Sequence, residues 1–366
     1  MRSLARLRAL LPSFLLATLV IARADAPAVA APKPGKANRA AAATGPRVER
    51  SLPVLGETLA IVAASRVNVT DTTHAAAAIG VAHGEAARLE AILSPDREGS
   101  ELARLNRAAA QDRFACSRDL FAALETAVAL AGETDGAYDP TIGPLVRVWS
   151  AQGGRGAPGR LELSAARALV GWRMLLLEPG LGTARFMRPG MGVSLGPVAG
   201  GYVLDRSAEA LRGLGIARAR LELGGAILAF TSHEPWVATV PAWDGRAVLS
   251  LALSNAACAT ALQPGGAGAE SGARGPSPID PRTGESARGQ ASVTVIAPSA
   301  ARAGALAAAL LVMGRDGAEA HAHAHPGHGV LWIEPAGDSA SVRVWAWNLG
   351  TIEPRPGVRV EWMTGQ

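Results

Sequence analysis

Short runs of apolar residues, many of them alternating with polar ones, recur along the chain and predict β-strands. The predicted strands cover residues 59–69, 172–177, 218–223, 227–230, 236–240, 248–253, 256–262, 292–297 and 341–347. The runs 236–240 and 248–253 are expected to pair with each other.

Longer segments with apolar residues at helical spacing predict α-helices between the strands. The predicted helices are a segment capped by Asp71 that ends at Leu93, residues 118–130 capped by Ser117, a segment from the glycine-rich bend 196–201 to Leu214, and residues 299–314. Short helical turns are predicted at 100–106 and 164–169, and a loop at 133–149. Helices and strands without strict βαβ alternation predict an α+β fold, or a mixed-sheet α/β fold.

The first 48 residues precede this pattern and predict an export signal followed by a tether. Arginines lead into an apolar run and small residues follow, so residues 1–30 are predicted to be a signal peptide. Residues 31–48 are rich in Ala, Pro, Gly and basic residues, which is typical of a disordered tether. Residues 49–366 form the predicted folded domain. We expect an exported, periplasmic protein, with an inner-membrane tether through an uncleaved signal as the alternative.

The net charge of the predicted domain is too small to argue for a nucleic-acid partner. The chain carries +5, and loss of residues 1–30, with four Arg and one Asp, leaves +2. The two lysines of the sequence, Lys33 and Lys36, lie in the predicted tether. A folded domain without lysine excludes a P-loop NTPase and Schiff-base catalysis.

Two cysteines, Cys116 and Cys258, leave two interpretations open. In an exported protein they can pair as a disulfide. The favoured interpretation is two buried small residues, because a single crosslink is not a disulfide framework.

Three segments combine turn residues with groups that suit a polar ligand. In 136–141, Asp139 precedes a proline and is biased to extended geometry, with an Asx-type turn as the alternative interpretation. In 195–202, glycines open a helix whose N–H groups attract phosphate, and a plain helix start is the alternative. In 280–284, Arg282 suits a bidentate phosphate contact, and a tight turn with a local salt bridge is the alternative.

Four histidines, His321, His323, His325 and His328, stand among small residues near the end of the predicted domain. Alternating imidazoles in a loop can bind Zn²⁺ or Cu²⁺. The other interpretation is a solvated surface tract that binds metal only adventitiously.

Eight short blocks, taken in their order along the chain, are more specific than any single motif. They are VLGET, SELARLN, DGAYDPTIGPLVRVW, SLGPVAGGYVLD, LELGGAI, CAT, IDPRTG and SVTVIAPSAARAGALAAALLVMG. This order resembles the ApbE-type flavin transferase family, the FAD:protein FMN transferases. The resemblance covers nearly all of residues 50–315, and GAYDPTIGPLVRVW and IDPRTG are its most specific parts. It therefore implies an ApbE-like flavin transferase fold.

The resemblance implies a protein that binds FAD with a magnesium ion at the pyrophosphate. FMN is transferred to a Thr or Ser hydroxyl of a flavin-accepting protein, and AMP leaves. Positioning and charge neutralisation dominate such phosphoryl-type transfer. Carried over to this chain, the resemblance implies flavin-nucleotide contacts at Ala137, Tyr138, Asp139, Ser194, Gly200, Ile279, Arg282 and Thr283.

Several of the positions that contact the nucleotide depart from the family pattern. Ser194 stands where the family usually has Asp, and Gly200 stands where it has Lys. The family's TSG block is Thr-Ala-Leu at 260–262, and Ser277 replaces the usual His. The loss of the lysine removes a positive charge that faces phosphate.

The catalytic and metal positions implied by the resemblance are also altered. The catalytic positions are Asp280 and Thr260, and the metal positions are the carbonyl of Pro197 and the helix residues Gly304 and Ala308. In the family the last two are Asp and Thr, which share a helix face because they are four residues apart. Mg²⁺ requires hard oxygen ligands, which a hydrogen and a methyl group do not supply.

Three functions are open from the sequence. The first is an FAD:protein FMN transferase in which transfer is weak or lost, and family resemblance favours this one. The second is a periplasmic protein that binds FAD or another nucleotide without transfer. The third is a periplasmic metal-handling or interaction protein that uses the histidines of 321–328.

Overall fold

The computed structural model describes residues 47–64, 72–153, 156–232, 234–263, 278–338 and 341–363. The predicted signal peptide, almost all of the predicted tether and Ser277 lie outside these ranges. The first strand begins at Arg47, two residues before the predicted start of the domain. Within the described ranges, each helix is too short or too polar to span a membrane.

A nine-stranded sheet forms the centre of the fold, and its strands are antiparallel except for the last pair, β13 and β15. Its strand order is β1-β2-β6-β7-β10-β11-β12-β13-β15. The strands are β1 (Arg47–Val54), β2 (Glu57–Ala64), β6 (Arg218–Leu223), β7 (Ala226–Thr231), β10 (Ala256–Gln263), β11 (Ala291–Ala297), β12 (Gly329–Pro335), β13 (Ser341–Trp347) and β15 (Arg359–Met363). The predicted α+β fold with mixed sheets is therefore confirmed.

Two three-stranded sheets accompany the large one. One has the order β14-β9-β8, with β8 (Trp236–Pro241), β9 (Ala247–Leu253) and β14 (Ile352–Pro354). The other has the order β3-β5-β4, with β3 (Phe114–Ala115), β4 (Leu175–Glu178) and β5 (Thr183–Phe186). The predicted pairing of 236–240 with 248–253 is confirmed, because β8 and β9 pair in antiparallel register.

Seven α-helices complete the described fold. They are α1 (Thr73–Leu93), α2 (Glu101–Ala108), α3 (Arg118–Glu133), α4 (Gly143–Ala151), α5 (Arg160–Arg167), α6 (Pro197–Gly213) and α7 (Ala300–Ala324). The prediction of a loop over 133–149 is wrong in its second half, because a short 3₁₀ turn leads directly into α4. Pro144 lies at the start of α4, where its missing N–H needs no partner.

The alternation of side chains along the strands divides the core into two clusters. On β7, Leu228 and Phe230 join the larger cluster, which contains the buried faces of α1, α3, α6 and α7. Ile227 and Ala229 join the smaller cluster with β8 and β9. Successive strand residues point to opposite faces, so the large sheet is covered by helices on one side and by the β8–β9 sheet on the other.

Helices α6 and α7 cross so closely that position 201 has room only for glycine. A Cβ added at Gly201 would lie 2.3 Å from the backbone nitrogen of Ala301 and 2.5 Å from the carbonyl carbon of Ala300. A Cβ at the neighbouring Gly200 would meet only Leu223, at 3.7 Å, which is ordinary contact. The first turn of α7 is therefore seated against the bare backbone of α6.

Asp205, on α6, caps the start of α7 from a distant part of the chain. Its two carboxylate oxygens accept hydrogen bonds from the backbone N–H groups of Ala300 (2.7 Å) and Ala301 (3.1 Å). Burial raises the pKa of Asp205 to about 6, against the effect of these two donors. The carboxyl is thus ionised at neutral pH and faces the positive end of the helix.

Replacing Asp205 with Ala is expected to lower the free energy of unfolding by about 2 kcal/mol, because two N–H groups lose their acceptor. Ser299, the N-cap residue, accepts a single hydrogen bond, from the N–H of Arg302. Its replacement by Ala is expected to cost about 1 kcal/mol. Urea denaturation followed by circular dichroism measures both values, and a larger loss for Ser299→Ala would contradict the cap assigned to Asp205.

Helix α7 is folded back on itself at Gly314. That glycine has φ 80° and ψ 178°, a conformation that glycine alone adopts readily. In a straight helix, residues 302 and 321 would lie roughly 28 Å apart. Instead Arg302 pairs with Glu133, and a ligand atom of His321 lies within 4.8 Å of one on the same Glu133. The break therefore brings the two ends of α7 together.

Both cysteines are free, and Cys258 is buried while Cys116 is partly buried. Burial is the largest influence on both thiols and raises the pKa of each to about 12. The favoured interpretation of two buried small residues holds for Cys258 and in part for Cys116, and neither thiol is available as a thiolate near neutral pH.

Candidate flavin-nucleotide site

A cleft of ≈ 730 Å³ lies between the strand ends of the large sheet and the starts of α6 and α7. Strands β2, β6, β7 and β10 supply one wall, and the bend before α6 and the first half of α7 supply the other. Six residues predicted from the resemblance line it: Ser194, Pro197, Gly200, Thr260, Gly304 and Ala308. They come from three distant segments that only the folded chain brings together.

The bend before α6 is supported from behind by the segment 137–140. The buried hydroxyl of Tyr138 donates a hydrogen bond to the carbonyl oxygen of Leu195 at 2.9 Å. The N–H of Ser194 donates to the carbonyl oxygen of Pro140 at 2.8 Å. Ala137 is buried beside them. This segment therefore positions the wall of the cleft and does not itself line it.

Both carboxylate oxygens of Asp139 accept hydrogen bonds from neighbouring loops. Its Oδ1 accepts from the N–H and the hydroxyl of Thr141, at 2.7 and 2.6 Å, and its Oδ2 accepts from the N–H of Trp172 at 2.8 Å. Burial raises the pKa of Asp139, and these three donors oppose that effect. The Asx-type turn is thus the observed geometry, and the carboxylate ties two loops together.

The segment 278–284 forms a tight turn outside the lining of the cleft, apart from Pro278. Asp280 accepts from the Nε and Nη2 of Arg282, both at 3.0 Å, and its carbonyl accepts from the N–H groups of Thr283 and Gly284. Ile279 bridges to Ser286 across the turn. Arg282 is therefore paired with Asp280, and the local salt bridge is the arrangement that the structure contains.

Thr260 presents its hydroxyl at the cleft wall from β10. The Oγ1 atoms of Thr260 and Thr294 lie 2.7 Å apart across the β10–β11 pair, at hydrogen-bonding distance. The backbone N–H of Thr260 donates to the carbonyl of Gly225, in the turn between β6 and β7. Both contacts hold Thr260 at a defined position against the cleft.

The start of α6 does not offer the free N–H groups that the glycine-rich bend suggested. The helix begins at Pro197, so Gly200 lies inside the helix and not before it. Pro197 has no N–H, and those of Val198 and Ala199 donate to the carbonyls of Leu195 and Gly196, at 3.1 Å each. The plain helix start is the observed geometry, and its first donors are already used.

The face of α7 that lines the cleft does not fit a magnesium ion. Gly304 and Ala308 both line the cleft and carry no side-chain oxygen. The carbonyl oxygen of Pro197 is close by, 3.3 Å from where a Cβ at Gly304 would lie, while the Cβ of Pro197 would lie at 2.9 Å. One carbonyl is a poor substitute for the several oxygen ligands that Mg²⁺ requires, so we derive no step through this ion.

The charged residues that line the cleft are acidic. They are Glu57, Asp96 and Glu222, whereas Lys, Arg and His are absent from the lining among the residues that the structure describes. Glu222 is paired with Arg220, which lies outside the lining, at 2.7 Å. A pyrophosphate placed here would gain no cation from the described wall. Glu57 and Glu222 lie in the blocks VLGET and LELGGAI, for which no single-residue role was predicted, and Asp96 lies in the loop after α1, outside the eight blocks.

The sequence of most of the described fold matches a protein family. A sequence profile of the ApbE family matches residues 58–332, which is more than half of the chain. The chain belongs to the ApbE family. The match runs from β2 into β12 and includes most of the cleft lining, and the solved structure described next confirms the predicted ApbE-like fold.

Relatives that are named as FAD:protein FMN transferases support the same assignment. The FAD:protein FMN transferase of Vibrio cholerae is 33% identical over 244 residues, which are 64% of this chain and 72% of the relative. That of Treponema pallidum is 28% identical over 267 residues, 67% of this chain and 74% of the relative. The solved structure of the flavin transferase ApbE from Vibrio cholerae has a TM-score of 0.70 and 29% identity, over 82% of this chain and 97% of that one.

The predicted loop of histidines has a different structure. His321 and His323 lie in the last turn of α7, and His325 caps its end. His321 and His328 are buried, so the interpretation as a solvated tract is wrong for these two. Burial is the largest of the effects that lower the pKa of His321 to about 4. It also lowers the pKa of His328.

Proposed function

We propose that this chain binds FAD in the cleft and transfers FMN from it to a Thr or Ser hydroxyl of an acceptor protein only slowly. One observation carries the proposal: six positions implied by the family line a single cleft of ≈ 730 Å³. That volume lies within the range of sites that bury a cofactor-sized ligand. Membership of the ApbE family supplies the ligand class.

The chemistry of the transfer explains why it is slow. The acceptor hydroxyl oxygen bonds to the FMN phosphorus, the bond from that phosphorus to the bridging oxygen breaks, AMP leaves with this oxygen, and the hydroxyl proton passes to solvent. Negative charge is spread over the phosphoryl oxygens, so the rate depends on groups that neutralise it. The described lining supplies three carboxylates and no basic side chain. Gly304 and Ala308 supply no oxygen that would hold a metal ion.

The test compares this chain, without residues 1–30, with the Vibrio cholerae relative under identical conditions. Calorimetric titration with FAD measures binding, and covalent fluorescence of an acceptor domain on a denaturing gel measures transfer in the presence of Mg²⁺. We expect FAD binding in the micromolar range and transfer at least about 100-fold slower than in the relative. We also propose that the chain is exported to the periplasm with removal of residues 1–30, and loss of these residues from chain recovered in the periplasmic fraction tests this.

The outcomes separate the alternatives. Transfer within tenfold of the relative's rate would contradict the slow step and leave an ordinary flavin transferase. FAD binding with no covalent product after long incubation would support a binding protein without transfer. Absence of FAD binding at about 100 μM, against clear binding by the relative, would overturn the proposal as a whole.

A further inference from the structure

A second cluster of polar side chains lies away from the cleft, where the end of α7 meets the end of α3. Residues 321 and 325 are four apart on α7 and so share one face, and residue 328 follows in the next turn. None of the three histidines at these positions lines the cleft, and neither does Glu133, which faces them. The reversal at Gly314 makes this meeting possible.

The three imidazoles form a compact stack. The ring centroids of His321 and His325 lie 4.4 Å apart, those of His321 and His328 lie 5.3 Å apart, and those of His325 and His328 lie 5.5 Å apart. The Nε2 atom of His321 lies 3.1 Å from the Nδ1 atom of His328. Three rings that crowd together are unusual for a surface tract of mixed polarity.

Glu133 offers the stack an oxygen that the fold does not use. Its Oε2 atom accepts a hydrogen bond from the guanidinium of Arg302. The positive charge of Arg302 is therefore already balanced. Its Oε1 atom is buried without a hydrogen-bond partner among the described residues. One ligand atom each from Glu133, His321 and His325 lies within 4.8 Å of the other two. A buried oxygen without a donor beside clustered ring nitrogens is an arrangement that a cation would complete.

We infer that His321, His325, His328 and Glu133 form a binding site for one divalent transition-metal ion of the Zn²⁺ class. Three imidazoles and a carboxylate are the donor set that Zn²⁺ accepts in tetrahedral geometry. Imidazole-rich sites also take Cu²⁺ and Ni²⁺, so the chemistry defines a class and not one element. The site is independent of the cleft and of the proposed flavin chemistry.

The spacing of the nitrogens fits such an ion. Ligands of a tetrahedral zinc at 2.0–2.1 Å lie about 3.3 Å from one another. The His321–His328 nitrogens, at 3.1 Å, are already at that separation. The ligand atoms of Glu133, His321 and His325 need to close from within 4.8 Å, and His325 has the freedom to do so because it caps the helix and its side chain is 38% exposed. This exposed side is also the route of entry.

The backbone around the site is held in place without a metal. Asn348, in the segment after β13, donates from Nδ2 to the carbonyls of Ala322 at 2.7 Å and His328 at 3.1 Å. The N–H of His328 donates to the carbonyl of His325 at 2.9 Å. A bound ion would join the end of α3 to the end of α7, and four protein ligands without an open position make it a structural site.

Zinc titration of the untagged, chelator-treated chain, in competition with a chromophoric chelator, tests the inference. We expect one ion per chain and a rise of the melting temperature with zinc. Replacing His321 and His328 together by Gln, which preserves volume, is expected to weaken binding at least about 100-fold. Glu133→Gln should weaken it at least about tenfold. His323, which belongs to the same tract but is exposed, is the matched control, and His323→Ala should bind within twofold of the unaltered chain.

Three outcomes would overturn the site. Equal weakening by His323→Ala and by the double replacement would mean adventitious binding by the tract, and so would several weak ions per chain. Absorption of the Co²⁺-loaded, unaltered chain provides a second measurement that needs no variant. Intense visible bands of a four-coordinate ion support the site, and the weak bands of a six-coordinate ion contradict it.

Discussion

Replacement of Gly304 by Asp, Ala308 by Thr and Gly200 by Lys is expected to raise FMN transfer at least about 100-fold, provided that Pro197 is replaced by Gly at the same time. The first two changes place a carboxylate and a hydroxyl on the face of α7 that lines the cleft. The third adds a cation where a Cβ has ordinary contact with Leu223. The increase rests on the proposed function, because these changes restore the charge neutralisation that the transfer requires.

Pro197 decides whether these substitutions succeed. A Cβ at Gly304 would lie 2.9 Å from the Cβ of Pro197, which is closer than two such atoms approach in folded proteins. Glycine at 197 removes the obstructing atom, whereas alanine keeps it. The set of substitutions with Pro197→Gly should therefore be active, and the same set with Pro197→Ala should be poorly folded or remain slow.

The measurement is the rate of covalent flavin transfer as a function of Mg²⁺ concentration for both sets and for the unaltered chain. A hyperbolic dependence on Mg²⁺ that appears only with Pro197→Gly supports the assignment of this face. Equal rates with glycine and alanine at 197 would show that the contact with Pro197 does not limit the site. If both sets bind FAD but remain as slow as the unaltered chain, the missing ligands are not the cause of slow transfer.

A single methyl group at Gly201 is expected to destabilise the protein by about 3 kcal/mol or more. The added Cβ would lie 2.3 Å from a backbone nitrogen of α7, so helix backbone must move, and no side-chain rotation relieves the contact. At Gly200 the same change meets only Leu223 at 3.7 Å. Gly200→Ala should be neutral or stabilising by up to about 1 kcal/mol, because alanine is the better helix former.

Guanidinium denaturation of Gly201→Ala and Gly200→Ala compares the stability of the two variants directly. Each variant adds one methyl group, and the two positions are neighbours on α6. We expect the denaturation midpoint of Gly201→Ala to fall. That of Gly200→Ala should rise or stay unchanged. A similar loss in both variants would mean that helix propensity and general packing, and not the crossing with α7, determine the effect.

Strands β6 to β11 and β13 were predictable because their sequences carry their own signal, whereas β1, β3, β5, β12, β14 and β15 were not predicted. The apolar run of β7 and the pairing of β8 with β9 were both predicted from the sequence, whereas the assignment of Leu228 and Ile227 to opposite faces is visible only in the fold, because β7 is apolar nearly throughout. The predicted cap at Ser117 is also local, because its hydroxyl accepts a hydrogen bond from the N–H three residues later. Local chemistry was sufficient for these elements.

The contacts that build the site were not predictable, because they join distant parts of the chain. Asp205 and the N–H of Ala300 are 95 residues apart, and nothing near either residue indicates the other. The six cleft positions were found through family resemblance and not through spacing. The histidine tract was predicted as a loop, although alanine, the strongest helix former, stands between its histidines and continues α7 past Gly314.

The order of strands in the large sheet has a consequence for the two ends of the described chain. β1 lies at one edge and β15 at the opposite edge, eight strand spacings away. At about 4.8 Å per spacing these edges are roughly 38 Å apart through the sheet. A circular permutation that joins the ends would therefore require a linker of at least about a dozen residues. A fusion partner attached before Arg47 would lie at the β1 edge. A second fusion partner could then be attached at the β15 edge without contacting the first.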